Sequence, residues 1–205
     1  MSLILRISLI LQTEDKSTGE KGVVSEKLTR ELEQPYPLDE ENIRYFRQAG
    51  FVKLKNVVPP KALEVYGAAI GELVEALNPM RGIPLEQRTT YKKAFIQITN
   101  LWQKSERVRE FVFSRRLARI AAELMGTRGV RLYHDQALFK EPSGGFTPWH
   151  ADQYYWPLAS EKCCTVWIPL QATPLEMGPL AFAAASQHFE YGRDLEISEK
   201  SEALI

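Results

Sequence analysis

Apolar residues alternate at the start of the chain. Leu3, Leu5, Ile7, Leu9 and Leu11 share one face of a period-2 pattern, which predicts a strand or a loose tail. Arg6 interrupts the apolar run, and the run is too short to cross a bilayer. Residues 13–36 are polar and rich in Glu, Lys, Ser and Thr, the pattern of a mobile lead-in. The stretch "PLDEENIRYFRQAG" predicts a helix, with Asp39 placed to cap it, Ile43 and Phe46 on its buried stripe and Gly50 at its stop. "FVKLKNV" alternates as a strand, and Pro59-Pro60 turns the chain into a helix over about 61–77. Residues 105–125 read as a further helix ending before Gly126.

From Gly126 the grammar changes. "GVRLYHDQALFKEP" alternates, "SGGFTP" reads as a loop, and "WHADQYYW", "TVWIPL" and "GPLAFAAA" each read as a strand. Helices followed by a run of strands predict a mainly β fold with N-terminal helices, in which a jelly roll is one of several possible sandwiches. The expected organisation is an N-terminal tail, partly disordered, over residues 1–37 and one domain over 38–205, a length suited to a single core.

Composition narrows the function classes. Lys+Arg and Asp+Glu are both 26, so the formal net charge is zero and no long run of one sign marks a nucleic-acid or membrane partner. The two cysteines, Cys163 and Cys164, are adjacent and make no disulfide framework, so a cytoplasmic location is expected.

The candidate chemistry lies in "TPWHADQYYWPL". In a strand, residues i and i+2 point to the same side, so His150 and Asp152 would direct an imidazole and a carboxylate into one pocket. That is two-thirds of the two-histidine, one-carboxylate set of non-heme Fe(II) oxygenases. The spacing alone is a weak signal. With three histidines and 26 acids in 205 residues, chance gives some His-x-acid match roughly one time in three, and His188-Phe189-Glu190 is a second. The plain alternative for His150 is a hydrogen-bonded histidine at a sheet surface.

The segment "RLYHDQALFKEPSGGFTPWHADQYYWPL…TVWIPLQATPLEMGPLAF" resembles the phytanoyl-CoA dioxygenase family of Fe(II)- and 2-oxoglutarate-dependent oxygenases. The shared features are a strand ending in Lys-x-Pro, a glycine-bearing loop, W-H-x-D, a W-I-x-L strand and a G-x-L strand. "FRQAGFVKLKNVV" matches the family's helix-strand opening, and the order holds over about residues 38–205. The resemblance implies a double-stranded β-helix (jelly roll, cupin-like) with His150 and Asp152 as metal ligands for Fe(II). It implies 2-oxoglutarate as co-substrate, with Gln97, Gln136 and Trp167 lining its pocket. It also implies hydroxylation of a small organic substrate with release of succinate and CO2. A carboxylate at Asp152 argues against the halogen-transferring relatives, which carry a small residue there.

The resemblance also implies a later histidine ligand and, beyond it, an arginine for the distal carboxylate of 2-oxoglutarate. Neither occurs before Ile205, so the jelly roll is expected to be incomplete at the C-terminus. His188 follows Asp152 but lies in a turn pattern, and His134 shares an alternating face with Leu132, Gln136 and Leu138. The competing expectation is a truncated, non-catalytic jelly-roll remnant acting as a binding or interaction protein.

Overall fold

One antiparallel sheet organises the chain, and an interior strand of that sheet comes from the first residues. The computed structural model describes residues 2–11, 23–156, 158–192 and 194–204, with the backbone alone for 2–11 and 23–26. In chain order the elements are β1 (Ser2–Leu11), α1 (Val23–Glu33), α2 (Glu40–Ala49), α3 (Pro60–Leu77), α4 (Thr90–Ala94) and β2 (Ile96–Thr99). They continue with α5 (Glu106–Val112), α6 (Arg115–Met125), β3 (Val130–Lys140), β4 (Cys163–Pro169) and α7 (Glu199–Glu202). The sheet order is β2-β3-β1-β4, with each neighbouring pair antiparallel.

Helices outweigh strands among the described residues, so the expectation of a mainly β chain gives way to a helical layer on one sheet. "FVKLKNV" and "GPLAFAAA", expected as strands, have no ladder partner among the described residues and run as irregular segments. A period-2 pattern specifies a face, but a strand also needs a neighbouring strand to take its N–H and C=O groups. "WHADQYYW" is likewise irregular up to Ala151 and then turns through a 3-10 segment, Asp152–Tyr155.

The expected lead-in over 13–36 contains α1, whose Leu28 and Leu32 are buried in the core. Residues 12–22 lie outside the described residues. The helix expected over 105–125 is two: α5 ends at Val112, and α6 starts after Ser114. The buried Ser114 hydroxyl donates to Leu32 O, which ties this break to the end of α1. Arg116 of α6 donates to the carbonyls of Glu31, Gln34 and Val57. It thereby occupies orphan acceptors at the end of α1. In α2 the expected caps hold: Asp39 accepts from the Asn42 N–H, and Gly50 closes the helix at φ 84°, where a side chain is strained.

The core fills one side of the sheet. Tyr66 and Ile70 of α3, Phe111 of α5 and Leu117 and Ala121 of α6 pack with Ile96, Ile98, Ala137 and Ile168 from the strands. The Tyr66 and Phe111 rings stack at 4.8 Å. A register slip gives β3 its two-phase pattern: Ser8 pairs with His134 and Leu9 with Leu132, so Tyr133 is passed over. This bulge lets Val130 and Leu132 face the core before it, and Asp135, Ala137 and Phe139 after it. Leu132 therefore does not share a face with His134, Gln136 and Leu138 as plain alternation predicts.

Candidate metal centre

The face of the sheet away from the core carries the polar residues. Cross-strand partners in an antiparallel pair lie on the same side. Gln97 is paired with Leu138 and Thr99 with Gln136, so Gln97 and Gln136 share this face. In β4, Cys164, Val166 and Ile168 pack towards the core, which leaves Cys163, Thr165 and Trp167 on the opposite side. Gln97, Gln136 and Trp167 thus converge on one face from three strands.

His150 and Asp152 reach this face from the β3–β4 connection. Its first part is held against α4: the Gly145 N–H donates to Lys93 O at 2.9 Å, and Lys140 Nζ donates to Gly145 O at 3.1 Å. A Cβ on Gly144 would stand 2.8 Å from Lys93 O, so the approach of loop to helix needs glycine there. Glu141 pairs with Arg88, whose side chain is almost fully buried. Further on, the Trp149 N–H donates to the Glu202 carboxylate of α7 at 2.6 Å, and Pro148 is fully buried.

The two candidate ligands are side by side. His150 Nε2 lies 3.3 Å from Asp152 Oδ1, with both side chains partly buried. The strand expected here is absent, yet Ala151 is extended (φ −99°, ψ 121°), and one extended residue suffices to bring its two neighbours to the same side. His150 Nδ1 lies 2.8 Å from Pro148 O. A carbonyl only accepts, so Nδ1 carries the proton and, in the neutral ring, Nε2 presents its lone pair towards Asp152. Asp152 Oδ2 accepts from Thr165 Oγ1 at 3.2 Å, which fixes the carboxylate to β4.

These donors suit a divalent cation. Two ligand atoms about 2.1 Å from a metal at right angles lie about 3 Å apart, close to the separation seen. A metal-ligating histidine commonly donates its other N–H to a carbonyl, as His150 does to Pro148. No third His, Cys, Asp or Glu completes a metal-binding group among the described residues. His188 sits in a short turn beside the end of α2, where the Gln187 amide bridges its ring to the carbonyls of Arg47 and Gln48.

Around the pair, Gln136 is 7% exposed, and its amide nitrogen lies 2.7 Å from His134 Nε2 while Oε1 has no partner among the described residues. Gln97 Oε1 accepts from the Tyr91 hydroxyl at 3.0 Å. Of the aromatic run, Trp156 is buried against Tyr133 and His134, whereas Trp149, Tyr154 and Tyr155 are each 40% or more exposed. Cys163 lies near Asp152, and its thiol is pushed up by burial and then by that carboxylate.

Sequence reasoning gave Lys140 no role of its own. It lies on the same face as Gln136 and Leu138, and with Gly144, Gly145, Leu175 and Gly178 it lines a cleft of about 480 Å³. Burial lowers the pKa of its ammonium. The signal available in the sequence was the i, i+2, i+4 spacing from Gln136 through Leu138 to Lys140.

The family model for phytanoyl-CoA dioxygenase (PhyH) matches residues 46–201, which include every expected site residue. Comparison with curated proteins and with solved structures returns no match. No helix among the described residues is long and apolar enough to cross a membrane.

Proposed function

Because the chain belongs to the phytanoyl-CoA dioxygenase family, a family of oxygenases of the Fe(II)/2-oxoglutarate type with a jelly-roll fold, we propose that it hydroxylates a small organic substrate. The proposed reaction consumes 2-oxoglutarate and O2 and yields succinate, CO2 and the hydroxylated product. The observation that carries this reading is the adjacency of His150 Nε2 and Asp152 Oδ1, with the ring tautomer set by Pro148 O.

In this reading His150 and Asp152 hold Fe(II), which supplies the activation of oxygen when bound. The chain's own contribution is placement. Thr165 holds Oδ2 of Asp152 and leaves Oδ1 beside the imidazole. Trp156 packs on Tyr133 and on His134, whose ring meets the Gln136 amide. Gln97, Gln136 and Trp167 offer hydrogen-bonding and apolar surface to the co-substrate. Asp152 occupies the position that a halide needs, which favours hydroxylation.

Titration with Mn(II), followed by the loss of its free-ion EPR signal, tests the site without turnover. His150→Ala and Asp152→Ala are each expected to weaken Mn(II) binding by at least about tenfold, consistent with losing one of two charged or strongly donating groups. Equal binding by wild type and both variants would sink the assignment and leave a binding role without metal as the better reading.

A further inference from the structure

We propose that Glu202 of α7 is a positioning residue for His150, acting through the peptide group between Pro148 and Trp149. The proposal deepens the metal-centre reading and rests on it. Three contacts join end to end. The Trp149 N–H donates to Glu202 Oε2 at 2.6 Å. The carbonyl of the same peptide group, Pro148 O, accepts from His150 Nδ1 at 2.8 Å. On the far side of the ring, His150 Nε2 lies 3.3 Å from Asp152 Oδ1.

A peptide group is planar and conjugated, so its N–H and C=O polarise together. An anionic acceptor on the N–H leaves more electron density on the oxygen, and successive hydrogen bonds strengthen one another. Pro148 O is thereby the better acceptor. It holds the proton on Nδ1 and makes Nε2 the better donor to a cation. A metal-ligating histidine is commonly oriented by a carbonyl or a carboxylate on its other nitrogen. Here a carbonyl does so, with a carboxylate one peptide further out. Pro148 is fully buried, so water does not compete with His150 for its carbonyl.

The region around α7 is fixed so as to keep Glu202 in place. The Ser201 N–H donates to Ser198 Oγ at 3.1 Å, and Ser201 is itself buried. Just before the helix, the Ile197 N–H donates to the Tyr155 hydroxyl at 2.6 Å. Trp149 precedes His150 and Tyr155 follows Asp152, so this region grips the ligand segment on both sides of the pair. Thr90 of α4 donates to Glu199 at 3.3 Å, which ties α7 to the helix that holds the glycine loop.

The test separates tuning of His150 from simple anchorage of its loop. Glu202→Gln keeps an acceptor for the Trp149 N–H and removes the charge, whereas Glu202→Ala removes both. Tyr155→Phe cuts the other tie and leaves the Glu202 bond. Two quantities are read: Mn(II) affinity by EPR, and the His150 Nδ1–H resonance by NMR of metal-free protein with the ring neutral. Mn(II) binding is expected to weaken about tenfold in Glu202→Ala, the lower end of the range for outer-shell partners, and about threefold in Glu202→Gln. The resonance is expected to move upfield in the same order, with Tyr155→Phe close to wild type. Glu202→Gln serves alone where Glu202→Ala does not fold. Wild-type behaviour in Glu202→Gln would make the carboxylate an anchor only and overturn the proposal. Equal losses in Glu202→Gln and Tyr155→Phe, or a resonance unmoved in both Glu202 variants, would overturn it too. Failure of the preceding reading looks different: wild type would bind no Mn(II) while the graded shift persists, which upholds the relay to His150 and refutes the metal centre.

Discussion

Removal of Ser2–Leu11 is expected to release β4 from the sheet. β4 pairs with β1 from Ile4 to Ile10, and in the strand order β2-β3-β1-β4 its described neighbour is β1. A backbone hydrogen bond contributes about 0.5–1.5 kcal/mol net, so losing a ladder of this length removes several kcal/mol, a large part of the 5–15 kcal/mol of a typical domain. The exposed edge of β3 would then be open to pairing with other chains. Hydrogen exchange would show the Cys163–Ile168 amides losing protection. Thiol chemistry gives a second readout. Burial pushes Cys164 up to about 12, so it is inert near neutral pH while β4 is docked, and freeing the strand should make it alkylate readily. Preserved protection and an inert Cys164 in the shortened chain would show that β4 is held without β1.

Asp135 is expected to matter almost as much, and in a pH-dependent way. Its carboxylate is fully buried and accepts from the Leu101 N–H at 3.0 Å and the Trp102 N–H at 3.3 Å, closing the turn after β2. Alanine there leaves two N–H groups without an acceptor, at about 1–3 kcal/mol each, for a total loss of about 2–6 kcal/mol. Burial pushes the carboxyl up from its ordinary 3.8 to about 6, outweighing the backbone N–H groups of Trp102, Leu101 and Asp135 itself that pull it down. A folded value above the unfolded one means that the native protein binds the proton more tightly. The stability from this group is therefore full below about pH 4 and is lost as pH rises through about 6, by roughly 3 kcal/mol. Urea unfolding of wild type and Asp135→Asn between pH 4 and 7 measures it. The stability of wild type relative to the variant should fall across that range, and a constant difference would contradict the assignment.

What was legible in the sequence was local. Asp39 and Gly50 marked the ends of α2 because capping is decided within one turn of helix. The adjacency of His150 and Asp152 is legible because a single extended residue between them suffices. The break between α5 and α6 was missed because Ser114 is paired with Leu32 O, far away in sequence. The face carrying Gln97, Gln136 and Trp167 depends on register among four strands, fixed by non-local pairing and by the bulge at Tyr133. Alternation alone placed Leu132 on the wrong side for that reason. The segments around Phe51–Val57 and Gly178–Ala185 have strand-like patterns, but patterns cannot supply neighbours.

The measurement that tests the central claim most directly is an anaerobic titration of the protein with Fe(II) and 2-oxoglutarate, monitored for the visible charge-transfer band of the chelate. The account predicts a band in wild type that is lost in His150→Ala. Folded wild-type protein showing no band, or a band unchanged by His150→Ala, would contradict a metal centre built on His150 and Asp152.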